Sequence, residues 1–236
     1  MSDIAIVRVE RLELAYVPRS WPFASERRVE IDRHFIELKR RHPGVWNGRM
    51  LLLHDHAIGE GIFRGAYLET DFASFVAWRD WGFPDSAVRN CFAAGAILGS
   101  DGAFVLGVMG PQTANAGKIY FPAGTPDPSD VVGHEVDLAG SIRREIAEET
   151  GLRPGDYETE DGWHCVLAQP RIAMIRILHT RETAGGLRAR IRAHLARARE
   201  PELADIRVVR GPADLDPMMP PFVTAFLTEV WSRAAP

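Results

Sequence analysis

The chain has 236 residues, of which 46% are hydrophobic and 25% charged, with a formal net charge of −4 at neutral pH. That composition excludes an intrinsically disordered polymer, and the length allows one large domain or a catalytic domain with a smaller companion. A mildly acidic balance gives no global reason to bind nucleic acid or an anionic membrane, so an anionic ligand must meet local cations or a metal.

Two cysteines, Cys91 and Cys165, stand far apart and outside any CxxC pattern, which argues against a disulfide framework or a cysteine zinc site. The longest apolar runs, 92–98 and 222–227, are far short of the roughly 20 residues of a membrane span. Residues 1–8 lack a basic segment followed by a long apolar run, so a cytoplasmic location is expected.

In chain order, 4–17 reads as a strand and 18–25 as a loop. Residues 27–41 fit a helix that Pro43-Gly44 terminates, followed by a strand over 49–54 and a helix over 70–81. Gly and Pro at 82–84 break both periodicities, which places a junction near residue 88. Two strands, 92–98 and 103–108, flank Gly99-Ser-Asp-Gly, a turn-forming sequence, and read as a hairpin. A short strand at 118–121 and a long loop at 122–134 precede a helix over 137–150 with Asp137 as N-cap and Gly151 just past its end. Strand 172–178, a helix carrying Leu187, Ile191 and Leu195, strand 206–209 and an amphipathic helix over 222–231 complete the series.

The run Arg144-Glu145-Ile146-Ala147-Glu148-Glu149-Thr150-Gly151-Leu152 puts three carboxylates within five positions of one helix. At 100° per residue they share an arc of about 100°, flanked by the apolar stripe of Ile142 and Ile146. Like charges so placed cost a few tenths of a kcal/mol per pair, and bound cations would reverse that sign. Mg²⁺ takes carboxylate and phosphate oxygens and keeps several waters, which suits an open acidic ridge.

This run resembles the second half of the Nudix signature at every specified position, and Phe121-Pro122-Ala123-Gly124-Thr125 looks like the family's glycine-containing loop before the helix. The family's first acid, eight positions before the Arg, is replaced here by Val136, and Asp137 or Glu135 is expected to substitute as the partner of Arg144. The resemblance covers about 90–232 and implies an α/β/α sandwich around a mixed sheet, preceded by a smaller α+β module. The expected division is thus 1–88 and 89–236, the first part serving substrate selection or an oligomer contact, for example in a homodimer. It further implies Mg²⁺, with Mn²⁺ as a substitute, held by Glu145, Glu148 and Glu149 and by a carbonyl of Ala123 or Gly124, while Arg144 holds a carboxylate in place. A Mg²⁺-dependent pyrophosphohydrolase of nucleoside-diphosphate derivatives is the activity implied. Its general base is one of the ridge glutamates or an acid among Glu158, Glu160 and Asp161.

Other signals have plain structural readings beside functional ones. His54-Asp55-His56 suits a strand end better than a metal site, Trp78, Trp81, Tyr67 and Phe72 suit a core better than a stacking platform, and Arg188, Arg190, Arg192, Arg197 and Arg199 suit a solvated helix face better than an RNA surface. His134 and His164 stand without spaced partners. Asn47-Gly48-Arg49 and 70–75 are loosely similar to the leading module of a Nudix subgroup that hydrolyses UDP-glucose and UDP-galactose. A UDP-sugar is therefore the first substrate expected, ADP-ribose or a dinucleotide the second. A non-catalytic nucleotide-sugar sensor and an RNA 5′-phosphate hydrolase are the competing classes.

Overall fold

The computed structural model describes residues 4–234. The remaining termini, including the start of the segment read above for a targeting signal, lie outside the described residues. The large mixed sheet runs β1 (Ala5–Val9), β12 (Trp163–Ala168), β13 (Arg171–Thr180), β5 (Asn90–Leu98), β6 (Phe104–Met109) and β14 (Leu203–Val209). Short strands β7 (Ile119–Tyr120), β8 (Ala123–Gly124) and β11 (Tyr157–Thr159) pair with β6, β5 and β13 respectively. Only β13 and β5 are parallel, and the other pairs of this sheet are antiparallel. The expected hairpin is present, with Ile97 opposite Val105.

Strand β5 is apolar throughout because both of its faces are covered. Cys91, Ala93 and Ile97 meet helices α4 (Leu138–Thr150) and α5 (Ala184–Leu195), whereas Phe92, Ala94 and Ala96 meet α6 (Pro221–Ala234) through Phe222, Val223, Phe226 and Leu227. This is the α/β/α layering expected from the sequence. Full burial of side chains such as Phe226 stabilises the layering by roughly 2–3 kcal/mol each. At Gly95 an added Cβ would lie 2.8 Å from Ile146, so α4 is seated against bare backbone there.

A second sheet has the order β3 (Arg49–Gly59), β4 (Ile62–Asp71), β2 (Arg11–Tyr16), β10 (Glu135–Val136) and β9 (Val131–Val132). One face, with Met50, Leu52 and Leu68, is covered by α1 (Pro22–Glu26), α2 (Arg28–Arg41) and α3 (Phe72–Asp80), where Trp21, Ile31 and Trp78 are buried. The other face contributes Leu14, Leu51, Leu53, Phe63 and Tyr67 to the core of the large sheet, and the Tyr67 hydroxyl donates to the Cys91 carbonyl at 3.2 Å. Residues on both sides of position 88 therefore share one core.

Several elements differ from expectation. The stretch 4–17 is two strands, because the chain leaves the large sheet after Val9 and enters the small one at Arg11. Strands β4, β11 and β12 had no counterpart in the sequence reading, and β3 runs five residues beyond His54, to Gly59. A polar hairpin turn at Glu60-Gly61, both with positive φ, joins β3 to β4. The long loop before α4 holds β8, β9, β10 and a 3₁₀ turn at Pro128–Asp130.

Helix α4 has the expected ends: the Asp137 side chain accepts from the Gly140 N–H at 2.8 Å, and Gly151 is left-handed at φ 73°. An added Cβ at Gly151 would also lie 2.6 Å from the His194 ring. Gly151→Ala is expected to cost about 1–2 kcal/mol and lower Tm by roughly 3–6 °C. Gly185→Ala, a helical position with nothing within 4 Å, should leave Tm unchanged or raise it. Thermal unfolding of the two variants side by side checks this, and equal effects would overturn it.

Candidate active site

The acidic ridge is held from below by the apolar stripe of α4, where Leu138, Ile142 and Ile146 are buried. The three glutamates meet different surroundings. Glu149 is buried, Glu145 partly buried and Glu148 exposed. Glu145 lies against Gly124, where an added Cβ would sit 2.4 Å from its Oε1, so only glycine leaves room for that carboxylate. Glu149 Oε2 is buried without a hydrogen-bond partner.

Burial pushes the Glu145 carboxyl up to about 7, with the Arg144 guanidinium opposing and Glu148, Glu202 and Asp130 adding to the rise. Burial likewise raises Glu149 well above the ordinary carboxylate range, helped by Glu145, Glu202 and Glu148. Tyr120 borders the same group: its hydroxyl is raised by burial and by Glu149, Glu202 and Glu145, and it accepts from Asn115 Nδ2 at 3.1 Å. An orphaned carboxylate oxygen, a glycine cradle and gathered like charges are the donor chemistry that a hard divalent cation would satisfy. Among the described residues, no three His, Cys, Asp or Glu side chains close into a cage around an ion.

The partner of Arg144 is neither of the two acids expected. Its Nη2 donates to both carboxylate oxygens of Asp130, at 2.8 and 2.9 Å, and its Nη1 donates to Glu145 Oε1 at 2.7 Å. Asp137 is occupied as the N-cap, and Glu135 is exposed on β10. Asp130 closes the 3₁₀ turn, where Asp127 and Asp130 form a reciprocal capping box. Asp127-Pro-Ser-Asp130 is a capping pattern visible in the sequence, and it was the available signal.

Glu202 is the other residue missed. It stands just before β14, and its carbonyl accepts from the Gly110 N–H at 2.7 Å, which brings it to the ridge from a distant part of the chain. The acids expected after the helix are elsewhere engaged: Glu160 binds Arg8 at 2.6 Å and His179 at 3.3 Å, and Glu158 pairs with Arg181. Neither they nor Asp161 are among the charges that perturb Glu145 or Glu149.

The weaker signals resolve mostly into structure. Trp78 and Tyr67 are fully buried, while Phe72 borders the cleft described below. His56 stacks on Phe63 and His164 packs edge-on to Phe226, accepting from Arg8. Arg190 pairs with Asp156 and Glu182, and Arg192 with Asp205. No described helix is long and apolar enough to cross a membrane.

A cleft of about 1760 Å³ extends from Tyr120, Ala123 and Glu202 to the loop before β3, where Trp46 is 79% exposed. A space of this size admits an extended ligand with an aromatic ring at one end.

The raised Glu145 carboxyl makes a signed prediction for the metal-free protein. Between its ordinary value of 4.5 and about 7, the folded state keeps a proton that the unfolded chain has released. Stability is therefore full below about 4.5 and is lost as pH rises through about 7. The wild-type minus Glu145→Gln difference in Tm should fall across that window, and a flat difference would refute the assignment.

No family model and no curated protein matches the chain. Solved structures similar to it include the Nudix hydrolase RenU from M. smegmatis, at 15% identity over 61% of this chain and 84% of that one, with a TM-score of 0.39. The MutT protein from Methanosarcina mazei Go1 is 15% identical over 63% and 96% of the two chains, with a TM-score of 0.39. The E. coli ORF135 protein is 17% identical over 63% and 95%, with a TM-score of 0.36. Likeness this distant carries no argument about activity, which must stand on the residues of the ridge and cleft.

Proposed function

We propose that the protein is a Nudix-type hydrolase that cleaves the diphosphate of a nucleoside-diphosphate derivative with the help of Mg²⁺ or Mn²⁺. The observation that carries this reading is the acidic ridge: the complete Arg144–Leu152 pattern folded as one capped helix, with Glu145 in the Gly124 cradle and a Glu149 oxygen unpartnered. Glu145, Glu148 and Glu149, with a carbonyl of Ala123 or Gly124, are the residues that would hold the cation. A cation bound there supplies positive charge against the diphosphate oxygens and acidity for an attacking water.

The chain's own groups have distinct tasks in this reading. Arg144, clamped by Asp130, holds Glu145 beside Gly124 without touching substrate. Glu202, exposed and close enough to perturb both buried glutamates, accepts the proton of the water. The segment before residue 88 contributes substrate selection, and Trp46 offers its face to a nucleobase. A UDP-sugar giving UMP and sugar 1-phosphate is the first substrate to try, and ADP-ribose or a dinucleotide the second.

Product analysis on UDP-sugars, ADP-ribose, dinucleotides and nucleoside triphosphates with Mg²⁺ tests the reading. One class should turn over, and Glu149→Gln should abolish that turnover while leaving the fold intact. Unchanged Mg²⁺-dependent rates in the variant would refute the ridge assignment. Glu202→Gln should lower kcat by about 10²–10⁴-fold with little change in KM, and a pure KM effect would refute its role as base.

A further inference from the structure

Arg171 opens β13 and lies in the parallel register opposite Asn90. Its guanidinium is only partly exposed, stands 5.1 Å over the Phe83 ring, and has no ion pair or hydrogen bond among the described residues. The charge that acts on it is another cation, Arg79, whose Nε is held by Asp80 at 2.8 Å and whose carbonyl, with that of Trp78, accepts hydrogen bonds from the turn leading to Phe83. Burial, and then Arg79, lower the Arg171 pKa from its ordinary value. Two guanidiniums approaching each other in a partly desolvated place, one of them without a counter-ion, is unfavourable unless an anion joins them.

Both side chains line the large cleft, together with Asn90, Phe75 and Trp46, and the cleft reaches Ala123 and Glu202 at its other end. Register gives the separation. Gly124 pairs with Ala93 and Arg171 with Asn90, three residues apart on β5 and on its two opposite sides, so their backbones are separated by about 10 Å along the strand and by about 10 Å across it. Glu202 and the unpaired Arg171 guanidinium thus border one continuous cleft.

We propose that Arg171 and Arg79 form an anion subsite of the cleft that takes a second anionic group of the substrate, a carboxylate or a phosphate monoester, away from the scissile diphosphate. This inference rests on the hydrolase reading for the word substrate, but the subsite itself is defined by binding. Arg forks bind carboxylate and phosphate alike, so the experiment separates the two.

The test is equilibrium binding to the Glu149→Gln protein, which leaves ligands uncleaved, with two matched pairs as probes: UDP-glucose against UDP-glucuronate, and ADP-ribose against its 2′-phosphate. The charged member of one pair should bind at least tenfold more tightly. Adding Arg171→Gln should erase that preference while changing the affinity for the uncharged member less than twofold. Preference in the first pair assigns a carboxylate, and in the second a phosphate. Because Arg171 gives up no ion pair or hydrogen bond and only its contact with the Phe83 ring, Arg171→Gln should shift Tm by no more than about 3 °C, which separates loss of binding from loss of fold. Equal affinities within both pairs, or a preference that survives Arg171→Gln, would overturn the subsite. Hydrolysis by the wild type is scored separately: its absence with the preference intact refutes the hydrolase reading alone.

Discussion

The ion pair between Asp130 and Arg144, in which one guanidinium nitrogen donates to both carboxylate oxygens, is the contact on which the geometry of the ridge depends. Asp130 is buried, so leaving either partner alone would strand a charge in a poorly solvated place. The same residue takes the Asp127 N–H on its carboxylate and the Asp137 N–H on its carbonyl, at 3.0 and 2.8 Å. One aspartate thereby joins the 3₁₀ turn, the N-cap of α4 and the guanidinium that positions Glu145. The loop also pairs through β10 with β2, and the Pro126 carbonyl accepts from the Leu51 N–H, so the small sheet braces the loop from the other side. A long connection of this kind needs such bracing to hold Gly124 within reach of a helix that starts fourteen residues later.

What the ion pair holds in place is an arrangement that opposes folding. Burial raises the proton affinity of both Glu145 and Glu149, Glu145 adds to the rise at Glu149, and Glu202 and Glu148 add to it at both. The repulsion is tolerated because the opposite side of α4 is anchored, with Ile142 and Ile146 in the main core and Gly95 allowing close approach. Concentrating destabilising charge on one face of a rigidly seated helix is a pattern expected where a site must be preorganised for a cation.

The parts legible in the sequence were those set by local interactions. The α4 caps, the hairpin around Gly99-Ser-Asp-Gly and the carboxylate face follow from short-range periodicity and turn chemistry, whereas the sandwich layering was expected from the family resemblance. What escaped was set by pairing across long sequence distances. Strand β12 carries Trp163 and His164 and is buried by β1 and β13, so its pattern resembles neither a clean alternation nor a helix. The switch of sheets at Glu10 leaves no mark in a run of Val, Leu and charges. Glu202 approaches the ridge only because β14 pairs with β6, and nothing near it in the sequence marks chemistry. The resemblance itself directed attention to Glu135 and Asp137 because they sit near the expected spacing, whereas an elongated loop lets the carboxylate come from Asp130.

The shared core also constrains specificity. Leu51, Leu53 and Tyr67 pack in the same cluster as Ile142 and Ile146, so strands β3 and β4 share a core with the helix that carries the ridge. Arg171 is fixed more strictly, since its backbone belongs to the strand next to the one that pairs with β8. The backbone separation of Arg171 and Gly124 is therefore a property of β-sheet register. Changing it would require slipping a strand that is buried on both faces, and a one-residue slip would turn every core side chain the wrong way. The backbone that carries Arg171 is thus set by the sheet, while its side chain and the others that line the cleft are free to vary without disturbing that register.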